Sequence, residues 1–84
     1  MPIVGRNMLI VLPFGWVVCA HVAEEIAPRH FRLSNTTVIC STGGVPWDEL
    51  ARGNGRDKAT NRKWGEVFIG PEFVISTPWE GELP

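Results

Sequence analysis

The chain has 84 residues, of which 44% are hydrophobic and 20% charged, with a formal net charge of −1. That length makes one small domain, spanning residues 1–84, and argues against a large core of its own. The charge argues against tight non-specific DNA binding, for which a pI above about 9 is expected, and excludes neither an anionic nor a cationic partner.

The segment that follows Arg6, MLIVLPFGWVVCA, imitates a signal peptide. Pro13 and Gly15 interrupt its apolar run, and it falls short of the roughly 20 residues that span a bilayer. It is read as two strands of a cytoplasmic protein with no membrane segment. Asn7 to Leu12 is a continuous apolar run, as expected of a strand buried on both faces. Leu12 to Gly15 makes a turn. Trp16 to Ala23 is the second strand, with Trp16, Val18, Ala20 and Val22 on one face and Val17, Cys19 and His21 on the other. Glu24 to Pro28 suits a helical turn or a strand end, and Pro28 stops either.

Phe31 to Leu33 and Thr37 to Ser41 read as a hairpin about Ser34-Asn35-Thr36, since asparagine tolerates the left-handed conformation. Gly43-Gly44 breaks the sheet. Residues 46–52 carry a helix-start proline, acids in the first turn and a closing arginine, and Gly53 is the stop. Trp47 and Leu50, three apart, are expected to face the core together. Residues 53–63 hold no apolar side chain larger than alanine and read as a basic, flexible loop. Trp64 to Ile69 and Phe73 to Thr77 are the last strands, and residues 78–84 form an irregular tail with Trp79 folded back. The expected fold is mostly β: a small, strongly bent antiparallel sheet or SH3-like barrel of five to six strands, with one short helix near residues 46–52.

In this order of elements the chain resembles a group of short proteins of unassigned activity from phages, prophages and other mobile DNA of bacteria. The shared pattern runs through Leu33, Asn35, Ile39, Gly43 or Gly44, Leu50, Ala51 and Gly53, then Val67, Ile69, Val74, Ile75 and Pro78. The resemblance implies the fold and a mobile-element setting, and no activity. Thr36 to Cys40 stands where that group has an aromatic and basic cluster, so no surface role of those aromatics carries over.

No catalytic constellation emerges. His21 lies near Glu24 and Glu25 and is best taken as a strand histidine; His30 follows Pro28-Arg29 in a turn. Ser41-Thr42-Gly43-Gly44 is not a nucleophile elbow. Asp48 and Glu49 suit the helix dipole and would repel an anion at that helix end. No Cys/His spacing suggests zinc, and no cofactor is implied. Cys19 and Cys40 are both expected to be buried free thiols.

Two surfaces remain. Arg52, Arg56, Lys58, Arg62 and Lys63 fall within twelve residues, opposed only by Asp57. They could neutralise phosphates while Trp64 stacks on a base. Four tryptophans are many for so small a body, so some should meet another copy or another protein. Trp16 and Trp79 are the candidates for that interface. The expected function is a non-catalytic accessory protein of a mobile element, a homo-oligomer that binds a host protein or a small anionic ligand. Single-stranded nucleic-acid binding is the alternative, and a small hydrolase using His21 the third reading.

Overall fold

A computed structural model describes residues 3–72 and 75–84. Phe73 and Val74, expected to open the last strand, lie outside the described residues. The fold is mostly β. Five strands, β1 (Asn7–Val11), β2 (Val17–Ala27), β3 (His30–Ser41), β4 (Thr60–Ile69) and β5 (Ile75–Pro78), form one antiparallel sheet in the order β4-β3-β2-β1-β5. β4 and β5 lie at opposite edges, so the sheet stays open. No helix among the described residues is long and apolar enough to cross a membrane.

Both faces of the sheet are buried at its centre, which is why β1 reads as an unbroken apolar run. One face carries Met8, Ile10, Val18, Ala20, Val22, Phe31, Leu33, Val38 and Ile69. No helix covers this cluster among the described residues, so the sheet buries it by curling over it. The other face carries Leu9, Val11, Val17, Cys19 and Ile39, and is covered by Leu50, Ala51 and Trp79.

Curling needs breaks in the ladder, and bulges provide them. In β3, Phe31 and Leu33 share a face with Val38, although their sequence spacing has changed from even to odd. Asn35 at φ 52° makes the phase change, and the register against β4 shifts on both sides of Thr36. A one-residue slip sends every later side chain to the opposite face. Asn35 therefore makes a bulge inside one twelve-residue strand, not the hairpin turn expected there. The chain reverses instead at Pro28-Arg29, where Arg29 takes φ 61°.

The helix α1 spans Trp47–Arg52 and ends at Gly53, whose φ of 104° only glycine adopts without strain. Six residues cannot hold a helix alone. Burial of Leu50 and Ala51 holds this one. Trp47 does not share that burial and is 41% exposed, contrary to expectation. So short a helix offers a narrow buried stripe, which Leu50 and Ala51 fill. Its surface ion pairs, Arg52 to Glu49 at 3.2 Å and to Asp48 at 3.8 Å, contribute at most about 1 kcal/mol.

Part of the segment read as a basic loop takes regular backbone structure. Residues Arg56–Lys58 form a 3-10 turn and β4 already begins at Thr60. Gly43 packs against it: a Cβ there would run into the Lys58 backbone carbonyl. An edge strand with exposed sides needs no apolar alternation, and so its first four residues, 60–63, resemble a loop in sequence.

Candidate functional site

The basic residues do not gather into one patch. Arg52 faces the acids of its own helix. Arg56 is a structural clamp. Its Nε donates to the Leu50 carbonyl at 2.8 Å, and Nη2 donates to the carbonyls of Ala51 at 3.1 Å and Glu80 at 2.6 Å. Its guanidinium carbon sits 3.9 Å from the centroid of the Trp79 ring. One planar fork thus closes the C-terminal carbonyls of α1 and ties down the tail. Lys58, Arg62 and Lys63 remain, with no ion pair among the described residues.

The tryptophans divide sharply. Trp79 is only 6% exposed. Its backbone N–H donates to the Asn7 carbonyl at 2.8 Å and its indole N–H to the Glu82 carbonyl at 3.1 Å. That burial removes Trp79 from the exposed surface, and it serves as a core residue. Trp16 is 50% and Trp64 42% exposed, and their ring centroids lie 5.4 Å apart with the planes tilted by 44°. Local structure explains how they meet. A 3-10 turn at Pro13–Gly15, closed by the Leu12 N–H donating to the Trp16 carbonyl at 2.7 Å, presents Trp16 before β2 begins. Edge strand β4 presents Trp64. Leu12, Pro13, Ile69 and Gly70 continue the two indoles into an open, largely apolar groove with Glu72 at its rim. Trp16 and Trp64 were both candidates from sequence, in different roles; their contact was not foreseen.

A second groove is polar. It crosses the other face of the sheet, beside the half covered by α1 and Trp79. Asn7 and His21 are register partners there, and Nδ1 of His21 donates to Oδ1 of Asn7 at 3.0 Å. Among the described residues no hydrogen bond joins His21 to Glu24 or Glu25. Thr37 pairs with Lys63 and Thr36 with Gly65 along β3 and β4. The tail residues Glu82 to Pro84 form one wall, and the Thr37 hydroxyl donates to the Pro84 carbonyl at 3.3 Å. Nothing in the sequence analysis singled out Thr36 or Asn35 for a site. The phase change between Leu33 and Val38 was the signal that would have placed a bulge there.

The cysteines separate as well. Cys19 is buried, but Cys40, expected to be buried too, is exposed near the end of β3, and both are free thiols. Burial pushes the Cys19 thiol up to about 11, against the opposing charge of Arg56. The folded state then keeps this proton while an unfolded thiol loses it near 9.0. Stability should therefore fall as pH rises from 9 to 11, by on the order of 2 kcal/mol. Urea titrations at both ends of that range check this, and Cys19→Ala should flatten the dependence.

With this geometry in view, no family model, no curated protein and no solved structure matches the chain.

Proposed function

We propose that this domain is a non-catalytic binding module that docks a partner protein on the aromatic corner formed by Trp16 and Trp64. The observation that carries the reading is the half-exposed indole pair beside an apolar groove, with Trp64 on an edge strand whose outer side has no neighbour strand among the described residues. Each indole leaves about 100 Å² in water, so covering each would contribute about 2 kcal/mol. Tryptophan is among the residue types that dominate interface energetics. The sequence resemblance supports a mobile-element accessory role, with a host protein as the partner. Self-association through the same corner is the homo-oligomeric form of this reading.

The test is affinity capture from host extract, followed by calorimetry with the purified partner. Trp16→Ala together with Trp64→Ala should weaken binding at least 100-fold, as two such contacts imply, while the circular dichroism stays unchanged. Undiminished binding by the double variant would reject the corner as the docking surface.

Arg62, two residues before Trp64 on β4, favours one second reading, a stacking platform for single-stranded nucleic acid. With Arg52 and Arg56 engaged elsewhere, Lys58, Arg62 and Lys63 are what the basic segment leaves to neutralise phosphates. Three contacts give a salt slope of only about −2 on single strands. Binding that follows this slope and is lost in Lys58→Glu with Arg62→Glu would favour nucleic acid over protein.

A further inference from the structure

The aromatic corner specifies more about its occupant than that it is a protein. Trp64 has no partner of its own in β3: Thr36 pairs with Gly65, and the next residue, Thr37, pairs with Lys63. Trp64 is thus the extra residue of a bulge, and Gly65 completes it at φ 81°. A bulge of this kind, next to a lysine, interrupts an edge strand and blunts it against addition of another strand. A partner that pairs its backbone along β4 is therefore disfavoured where the indoles stand. A helical partner meets a different obstacle. Neither the Trp16 nor the Trp64 indole N–H has a hydrogen bond among the described residues, in contrast to Trp79, whose indole N–H donates to the Glu82 carbonyl. A partner that covers these donors must bring acceptors to them, because a donor buried without one costs free energy. A helix spends its carbonyls on itself and has few to bring.

We infer that the corner takes a proline-rich segment of its partner in the polyproline II conformation, with a basic residue at the end of the proline run; this rests on partner docking at Trp16 and Trp64. Polyproline II has no internal hydrogen bonds, so its carbonyls are free to accept from the indoles. Its proline rings stack on the indole faces, and its stiffness lowers the entropy lost on docking. The spacing agrees. Two residues of such a helix advance about 6 Å, and the indole centroids lie 5.4 Å apart. Leu12, Pro13 and Ile69 extend the apolar surface beyond the indoles, and Glu72 stands at its rim. Glu72 is exposed, has no ion pair among the described residues, and is the one charged side chain among the described residues that line this groove. Its carboxylate selects a lysine or arginine where the prolines end, since complementary charge at a rim sets specificity.

The experiment is a ¹⁵N–¹H NMR titration of the whole protein with a capped peptide of six prolines between two arginines, read on the tryptophan indole signals. Saturable shifts are expected for Trp16 and Trp64, with Trp79 unmoved. Glu72→Gln should weaken binding of this peptide about two- to fivefold, the usual size of an exposed ion pair, and leave binding of a peptide of prolines alone unchanged. Trp64→Phe, which keeps a ring and loses the N–H, should weaken both peptides by about threefold or more. No saturable shift at millimolar peptide, equal binding of a glycine-serine peptide between the same arginines, or binding unchanged in both variants would overturn the inference. If the captured host partner still depends on Trp16 and Trp64 in that case, docking at the corner stands and only the polyproline assignment falls. If it does not, both fall.

Discussion

Trp79→Ala is expected to destabilise the domain by about 3–5 kcal/mol. Small domains hold only about 5–15 kcal/mol in total, so this is about a fifth or more of the stability at hand. The size of the effect follows from what Trp79 covers. It seals the cluster of Leu9, Val11, Val17, Cys19 and Ile39 together with Leu50 and Ala51. Its backbone and indole N–H groups both hold carbonyls, those of Asn7 and Glu82. Truncation opens a cavity and frees the tail in one step. Trp79→Phe keeps most of the apolar area and loses one hydrogen bond, so it should cost only about 1 kcal/mol beyond the change in volume. Urea unfolding at unchanged slope reads both values.

Arg56→Ala is expected to cost about 2–4 kcal/mol, from charge-assisted hydrogen bonds and the contact with the Trp79 ring. Three carbonyls lose a side-chain donor; of the two at the end of α1, Leu50's keeps the Gly53 N–H and Ala51's keeps the Glu80 N–H. Lysine should rescue little. An ammonium can satisfy one or two carbonyls but does not reproduce a planar fork lying over an indole. Combining Arg56→Ala with Trp79→Phe should show a coupling of 0.5 kcal/mol or more, by the size usual for groups in contact. Additive losses within error would mean that the two act separately. Because Arg56 supports the fold, charge reversal there cannot report on nucleic-acid binding. Lys58 and Arg62 are the positions to use.

Much of the sheet was legible because burial on both faces leaves a strong trace. In the apolar runs Asn7–Val11 and Val17–Ala20 every residue but Asn7 is buried. The helix and its glycine stop were equally plain, since proline, first-turn acids and Gly53 each have a local mechanism. Local rules failed where a long-range pairing decided the outcome. Asn35 was correctly expected to accept a left-handed backbone, yet that conformation serves a bulge as readily as a turn. Only pairing with β4 distinguishes the two. The polar start of β4 was invisible for the same reason: residues 60–63 are held by β3, not by a hydrophobic face.

The site was less legible than the fold. Clustering of basic residues in sequence suggested a single charged surface. In space Arg52 turns to Glu49 and Asp48, Arg56 turns inward, and Lys58, Arg62 and Lys63 are what that cluster leaves without an ion pair among the described residues. Excess tryptophan did point to a contact surface, but burial chose among the four. Trp79 covers a sheet face, whereas Trp16 and Trp64 meet beside an open groove.

The most direct measurement is site-specific photo-crosslinking in host cells from position 64, with p-benzoylphenylalanine in place of Trp64. The same probe at Thr60, exposed on the same strand, serves as the control. The docking account predicts one discrete adduct from position 64, absent from position 60. Adducts of equal pattern from both positions, or none from position 64, would contradict it.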